Sequence, residues 1–160
     1  MPEITILPIT TEEREWVIQF MQEHWGSDKA ISRGVIHYPH SLPGFIALLN
    51  SEKTGLVTYN ITGESCEIVT LDSTTPSTGV GTALIEAVKD TTIKSGCKRI
   101  WLITTNDNTN ALRFYQKRGF VLVAVHRDAI EQSRKLKPEI PLIGNNGIPL
   151  RDEIELEMNL

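Results

Sequence analysis

The feature that most constrains the fold of this chain is an alternation of strand and helix patterns in its second half. Short β-rich runs alternate with two amphipathic segments, and each of those segments ends at a glycine. Because a helix between two strands favours their parallel alignment, the alternation predicts an α/β fold with parallel pairing in this half. The predicted elements are Ser65–Leu71, Gly79–Ser95, Arg99–Thr104, Thr109–Arg118 and Phe120–His126.

Gly79–Ser95 carries the clearest helical pattern in the chain. Its apolar residues recur three and four positions apart, which places them on one helical face, and Gly96 follows as a C-cap signal. The predicted core face consists of Val80, Ala83, Leu84, Ala87, Val88 and Thr91.

The residue pattern in the first half of the chain predicts a strand, a capped helix and an antiparallel meander. Thr10 and Glu13 have the capping-box spacing for a helix that ends at Gly26. Residues 27–43 are irregular, with room for a short helix or strand. The predicted strands are Glu3–Pro8, Phe45–Asn50, Leu56–Thr62 and Ser65–Leu71, with Ser51–Gly55 as a hairpin loop.

The end of the chain predicts one more helix, a loop and a final strand. Asp128–Lys137 is the helix, and Pro138–Arg151 is a Pro/Gly loop that turns at Asn146-Gly147. Glu153–Met158 alternates strictly between glutamate and apolar residues, which predicts a half-buried antiparallel strand.

Composition narrows the class of protein. A length of 160 residues suits one domain spanning residues 1–160, and a net charge of −4 without a basic patch argues against nucleic acid. The longest apolar run is Phe45–Leu49, which is too short to span a membrane. Met1-Pro2-Glu3-Ile4 shows no secretory signal, and Cys66 and Cys97 form no Cys-x-x-Cys pair. We therefore expect a cytoplasmic protein with reduced thiols.

The Gly79-Val80-Gly81 segment is a candidate phosphate site. A helix N-terminus presents unpaired N–H groups and a partial positive charge, and glycine lets a pyrophosphate approach the backbone closely. The lysine of a Walker loop is absent, and Leu84 stands where a Rossmann fingerprint needs its third glycine. Taken alone, the pattern favours a helix start without a ligand, because glycine is common at loop–helix junctions.

A second motif changes this interpretation. Asn108, Ala111, Tyr115 and Gly119-Phe120 resemble the Asn-x-x-Ala-x-x-x-Tyr-x-x-x-Gly-Phe segment of the GNAT acyltransferase superfamily. Together with the upstream glycine loop, residues 65–125 resemble the acetyl-CoA core of these enzymes. The resemblance implies a GNAT-like mixed α/β fold, with a central sheet of about six to seven strands and helices on both faces. The family's loop has Gln or Arg where this chain has Pro76, which lacks an N–H.

The resemblance also implies a cosubstrate and the residues that hold it. Acetyl-CoA, without a metal, would lie between the splayed strands Cys66–Leu71 and Arg99–Thr104, and the first of these would carry a bulge. The implied cofactor-binding residues are Val69, Thr70, Leu71, Ser77, Thr78, Gly79, Val80, Gly81, Thr82, Asn108, Asn110, Ala111 and Phe114.

Two residues are the candidate catalytic groups. The resemblance implies that Tyr115 protonates the departing thiolate, whereas its helix position alone favours a tyrosine packed on the core with its hydroxyl in water. Glu67 is the preferred base for the acceptor amine, because strand alternation places it on the face of Val69. A surface strand glutamate is the alternative interpretation of Glu67. The other candidate bases are Glu64, Asp72, His37 and His40.

The predicted function is transfer of an acetyl group from acetyl-CoA to a primary amine of an unidentified small molecule or peptide, by direct attack. The alternative is a non-catalytic acyl-CoA-binding or sensing domain of the same fold. The resemblance places the acceptor site in Trp25–Pro43 and Pro138–Arg151. It leaves a homodimer open. The candidate acceptor-lining residues are Trp25, Arg33, His37, Tyr38 and His40.

Overall fold

A computed structural model describes residues 3–160. Met1 and Pro2, on which part of the signal-peptide expectation rests, lie outside the described residues. The strands are β1 (Ile4–Pro8), β2 (Ala30–Ser32), β3 (Val35–His37), β4 (Gly44–Leu49), β5 (Glu52–Thr62), β6 (Ser65–Ser73), β7 (Arg99–Thr105), β8 (Val121–His126) and β9 (Glu153–Asn159). The helices are α1 (Arg14–Trp25), α2 (Val80–Lys94), α3 (Thr109–Lys117) and α4 (Ala129–Leu136).

Seven strands form one mixed sheet in the order β1-β4-β5-β6-β7-β9-β8. The neighbours β6 and β7 are parallel, and the other neighbouring pairs of this sheet are antiparallel. The prediction of parallel pairing is therefore confirmed for β6 and β7 and wrong for β8, because β9 inserts between β7 and β8. A strand from the end of the chain thus separates two strands that are consecutive in the alternating pattern.

Both faces of the sheet are covered by helices, as the resemblance implies. Ile46 and Leu56 pack with Val17 and Met21 of α1 on one face. Their neighbours in sequence point the other way, and there Ala47 and Val57 pack with Leu84 and Val88 of α2. This period of two is the reason that the meander strands are buried on both sides.

Two predicted details of the elements are wrong. β5 begins at Glu52 rather than at Leu56, and the turn before it is made by Asn50 and Ser51 at φ 50° and 72°. The buried stripe of α2 is rotated by about one position from the predicted face, because burying the large side chain of Ile85 removes more apolar surface than burying Ala83 or Ala87. The buried residues are Val80, Leu84, Ile85, Val88 and Thr92.

The irregular segment 27–43 contains both a strand pair and a short helical turn. β2 and β3 form a two-stranded antiparallel hairpin with Ala30 opposite His37, and Pro39–Ser41 forms a single 3-10 turn. The hairpin turns at Arg33 and Gly34, both at positive φ. Folding the hairpin over β6 places Ser32 beside Glu67.

Candidate active site

The two parallel strands separate halfway along their length. β6 pairs with β7 from Ser65 opposite Arg99 to Ile68 opposite Leu102, and then β6 continues to Ser73 beside β5 alone. The register between β5 and β6 shifts at this point and leaves Val69 as an extra, bulged residue. The expected bulge is therefore present, and it frees backbone groups of β6 at the start of a cleft between the strands.

The loop that follows β6 leads into the N-terminus of α2. Gly79 precedes the helix at φ 88°, a left-handed conformation that favours glycine. Hydroxyl groups brace the loop, since Thr78 donates to the carbonyl of Thr75 at 2.6 Å and Ser73 accepts from the amide of Thr75 at 3.1 Å. No backbone carbonyl among residues 3–160 accepts from the amides of Ser77, Gly79, Val80, Gly81 and Thr82.

Gly81 allows α3 to approach α2 closely. A Cβ atom on Gly81 would lie 3.0 Å from the ring of Phe114. On that ring lies the guanidinium of Arg118, 3.8 Å from the ring centroid, and Arg118 also donates to the Thr82 hydroxyl at 2.9 Å. Phe114 therefore packs on Gly81, and the Thr82 hydroxyl oxygen accepts from Arg118, which leaves the Thr82 backbone amide and hydroxyl proton free for a ligand.

The first turn of α3 uses part of the predicted binding motif for its own cap. Asn108 Oδ1 accepts from the amide of Ala111 at 3.1 Å, as an N-cap does. Its amide nitrogen stays available at the edge of the cleft. Asn110 is exposed and accepts from Arg113, and Ala111 is half-buried against the core.

Tyr115 is buried on the α2 side of the sheet. Its ring meets the rings of Phe114 and Phe120 edge-on, with centroids 5.4 Å apart in both pairs. Burial raises the pKa of the Tyr115 phenol, and the negative charge of Asp72 raises it further. The phenol is therefore protonated at any ordinary working pH.

A cavity of about 320 Å³ lies on the α1 side of the cleft. Six elements contribute to its wall, and a cavity of this size holds a small acceptor. The lining residues include His24 and Trp25 of α1, Ser32 of β2, Glu67 and Val69 of β6, Thr104 of β7, Lys137 after α4, and Glu153 of β9. Glu67 and Val69 thus share one face, as predicted.

Glu67 is held inside this cavity. Its Oε2 accepts from the Ser32 hydroxyl at 2.5 Å, and its Oε1 lies 3.7 Å from His37 Nε2. Burial raises the pKa of the Glu67 carboxyl; the Ser32 hydrogen bond opposes this, and the charges of Glu153 and Glu155 add to it. With 7% of its surface exposed, Glu67 is not the surface glutamate of the alternative interpretation.

The other predicted bases divide into two groups. Asp72 lines the cavity, accepts from Trp25 Nε1 at 2.7 Å and has its pKa raised by burial. His37 contacts the site only through Ser32 and Glu67, and burial lowers its pKa. Glu64 is exposed and lies 3.7 Å from Lys98, away from the cavity wall. His40 is also absent from the wall.

The predicted acceptor-lining residues are likewise only partly together. Trp25 lines the cavity. Arg33 does not line it, but its guanidinium lies 3.3 Å from Oε1 of Glu153, which does. Tyr38 is exposed and packs against the ring of His40. From the predicted loop Pro138–Arg151, Ile140 reaches the wall.

Several residues at the site carry no signal in the sequence. Lys137 is buried, donates to the carbonyls of Trp25 and Lys29 at 3.0 and 3.2 Å, and has its pKa lowered by burial. Ser32 and Ser133 come from segments with no motif. Glu153 belongs to the strand that strict alternation predicts. The glutamates at every second position of that strand are the one sequence feature that indicates a negatively charged face.

Neither cysteine of the chain has the environment of a reactive thiol. Cys66 and Cys97 are buried free thiols, and burial raises the pKa of Cys66 to about 12. Cys66 is therefore not a thiolate nucleophile. Within residues 3–160, no group of three or more His, Cys, Asp or Glu residues is arranged to hold a metal ion. No described helix is long and apolar enough to cross a membrane.

Comparison with known proteins defines the class to which this fold and cleft belong. The model of the acetyltransferase (GNAT) family matches residues 9–120. The uncharacterized protein YdhI of Bacillus subtilis (strain 168) is 46% identical over 151 residues, covering 93% of this chain and 94% of YdhI. YxbD of the same organism is 42% identical over 159 residues, covering 98% of this chain and 99% of YxbD. The chain belongs to the GNAT acetyltransferase family.

Solved structures have the same fold. An IAA acetyltransferase from Bacillus cereus ATCC 14579 superposes with a TM-score of 0.76 at 22% identity, over 99% of this chain and all of that one. A GNAT family acetyltransferase from Elizabethkingia anophelis, solved with acetyl-CoA bound, gives 0.70 at 21% identity over 98% of both chains. At these identities the likeness concerns the fold.

Proposed function

We propose that residues 1–160 form one N-acetyltransferase domain, which transfers an acetyl group from acetyl-CoA to a primary amine by direct attack. The observation that carries this proposal is the opening between β6 and β7, where bulged Val69 frees backbone groups. Glu67 faces the cavity on one side of the opening, and Tyr115 packs on the other. A carboxylate base and a phenolic acid therefore flank the same cleft.

The chain offers matched groups for each part of acetyl-CoA. The free amides of Ser77 and of residues 79–82, at the N-terminus of α2, suit a pyrophosphate. The backbone of Val69, Thr70 and Leu71 and the side-chain amide of Asn108 line the path of the pantetheine arm. When bound, acetyl-CoA supplies the activated acetyl group. The acetyl-CoA-bound Elizabethkingia relative supports this assignment by its fold.

Glu67 removes the proton of the acceptor. An amine is mostly protonated near neutral pH and attacks only as the free base. Oε1 of Glu67 takes no hydrogen bond from residues 3–160, and the raised pKa makes this carboxylate a stronger base than an exposed one. The N–H bond breaks, the proton moves to Oε1, and the lone pair attacks the acetyl carbon.

Tyr115 delivers the second proton. As the C–S bond breaks, negative charge grows on the departing sulfur, and a nearby O–H can neutralise it. The raised pKa of Tyr115 ensures that the phenol carries its proton when the reaction begins. Base and acid work on opposite sides of the cleft, so neither proton has to cross the site.

The cavity favours a small cationic acceptor. Three carboxylates, those of Glu67, Asp72 and Glu153, line a volume of about 320 Å³. Arg33 pairs with Glu153, and Lys137 on the same wall, whose pKa is lowered by burial, offsets at most one more. An ammonium group is stabilised by the remaining negative charge. We therefore propose a primary amine on a small molecule or an extended peptide end as the acceptor.

A thiol-release assay tests this function. The protein is mixed with acetyl-CoA and each member of a panel of polyamines, aminoglycosides, amino acid amides and short peptides, and products are identified by mass spectrometry. An N-acetylated product with stoichiometric free CoA supports the proposal. Calorimetric binding of CoA with no thiol release across the panel would instead indicate the non-catalytic acyl-CoA-binding domain.

A further inference from the structure

The β2–β3 hairpin places two polar side chains directly against the Glu67 carboxylate. Ser32, His37 and Glu67 are exposed by only 8%, 9% and 7%, so water does not compete strongly for their hydrogen bonds. The Ser32 hydroxyl lies 2.5 Å from Glu67 Oε2 and 3.2 Å from His37 Nε2. Ser32 and His37 belong to one hairpin, and Ser32 is 35 residues from Glu67 in sequence.

The hydrogen bonds of this cluster can run in only one direction while Glu67 is ionised. A carboxylate only accepts, so the single hydroxyl proton of Ser32 is donated to Oε2. The Ser32 oxygen then accepts, which requires the proton of the neutral His37 ring to be on Nε2. The chain of donors therefore runs from His37 through Ser32 to Glu67.

The two oxygens of the carboxylate are consequently in different environments. Oε2 is engaged by Ser32, and no other side chain or amide among residues 3–160 donates to Oε1. Oε1 lies 3.7 Å from His37 Nε2, which is beyond hydrogen-bonding distance. Glu67 itself lines the cavity. The geometry leaves one oxygen for an incoming ammonium group.

The charged groups that act on Glu67 from β9, the strand beyond β7, are already compensated. Glu153 and Glu155 of β9 both disfavour its ionisation. Glu153 accepts from the amide and the guanidinium of Arg33, in the turn of the same hairpin, and Glu155 pairs with Arg99 and His126. Direct donation by Ser32 is therefore the main contact that favours the ionised form of Glu67.

We propose that Ser32 and His37 are positioning residues for the base, which keep the buried Glu67 carboxylate ionised and orient its free Oε1 toward the acceptor. His37 acts through Ser32, by fixing the hydroxyl as a donor. The role in catalysis rests on the proposed acetyltransferase function, whereas the effect on the charge of Glu67 is a property of the folded protein itself.

Titration of Glu67 by carbon-13 NMR tests the proposal without any activity measurement. The side-chain carboxyl signal is assigned from its loss in Glu67→Gln. We expect Ser32→Ala to raise the apparent pKa by about one to two pH units, the range for a lost hydrogen bond to a charged group. Ser32→Thr keeps a hydroxyl and should titrate near the wild-type value.

A matched pair separates donation from titration at His37. His37→Gln retains an N–H donor at the end of its side chain and should leave the Glu67 titration close to that of the wild type. His37→Leu has no donor and should raise the pKa of Glu67. An unchanged titration in Ser32→Ala, or equal shifts in the Ala and Thr variants, would overturn the proposal.

An activity arm distinguishes this proposal from the proposed function. Ser32→Ala should lower turnover most near neutral pH and recover toward the wild-type rate as the pH rises past the shifted titration of Glu67. If the NMR shifts occur as expected while no amine is acetylated by the wild type, the proposed function fails and the role of the hairpin stands. A pH-independent loss in Ser32→Ala contradicts the positioning role.

Discussion

Glu67 and Tyr115 lie on opposite faces of the sheet. Glu67 and Val69 face the cavity beside α1, whereas Tyr115 belongs to the core cluster under α2 and α3. Asp72, at the end of β6, lies near enough to both sides to accept from Trp25 and to raise the pKa of Tyr115. β6 therefore connects the proposed acceptor side to the proposed cofactor side.

Tyr115→Phe is expected to lower kcat by about 10²–10⁴-fold, the usual contribution of a general acid, with little change in acetyl-CoA binding. The substitution removes only the hydroxyl, and that hydroxyl has no hydrogen-bond partner among residues 3–160. Steady-state kinetics with saturating acceptor, together with calorimetry for CoA, provide the measurement.

The same substitution contains its own control. Because the rings of Phe114 and Phe120 still have an aromatic partner, thermal stability should stay close to that of the wild type. Full turnover in Tyr115→Phe, when chemistry limits the rate, would show that another group protonates the sulfur.

At the scale of single residues, the sequence indicates a candidate site residue only where that residue belongs to a motif of fixed local spacing. Asn108 and Tyr115 are identified because the helix fixes their distance in sequence. Ser32 carries no signal, because its contact with Glu67 depends on how a short hairpin folds over a distant strand. The sequence offers His37 as a candidate base and as an acceptor-lining residue, but its link to Glu67 through Ser32 is visible only in the structure.

At the scale of elements, the loop from β6 to α2 is the part that we propose binds the pyrophosphate of the cosubstrate. Its tip is exposed at Ser77, where φ is 65°, a conformation that Asn and Asp adopt more readily than most residues. The loop is thus a place where charge can be changed without disturbing the backbone.

Ser77→Asp and Ser77→Asn form a matched pair of variants. We expect Asp to weaken CoA binding on the order of ten-fold at low salt, because it places a negative charge near the pyrophosphate, and Asn to bind CoA like the wild type. Calorimetric titration with CoA at two salt concentrations measures both. Equal affinities for the two variants would place the pyrophosphate elsewhere.

Helices and strands are likewise predictable from the sequence where a local pattern defines them, and not where distant contacts do. α2, α3 and β9 are found from periodicity, since each has one apolar face and a clear end signal. The early start of β5 is missed because Glu52 and Lys53 are polar and exposed there. The insertion of β9 beside β7 is missed because pairing of distant strands depends on tertiary contacts, which local patterns do not encode.

At the scale of the whole molecule, burying the Glu67 carboxylate has a cost in stability. The folded protein binds a proton at Glu67 more tightly than the unfolded chain, because the pKa of Glu67 is raised from its ordinary value of 4.5. Stability contributed by this group therefore falls as the pH rises through the window between the unfolded and folded values. At neutral pH the charge is buried at the expense of stability.

Glu67→Gln should accordingly be more stable than the wild type at neutral pH. The amide still accepts from Ser32 and carries no charge to bury, so we expect Tm to rise by about 2–4 °C at pH 7, as for about 1 kcal/mol in a chain of this size. The difference should shrink near pH 4, where Glu67 is protonated in both states. A Tm difference between the two proteins that is constant with pH would show that the buried charge is not its cause.

The most direct test of the central claim is the ratio of wild-type to Glu67→Gln turnover, measured with one acetylated amine from about pH 6.5 to about pH 9.5. If Glu67 removes the acceptor proton, the ratio is largest near neutral pH, where the amine is protonated, and shrinks at high pH as free amine accumulates. CoA affinity should be unchanged throughout. A ratio that stays the same at every pH would contradict the role of Glu67 as the base.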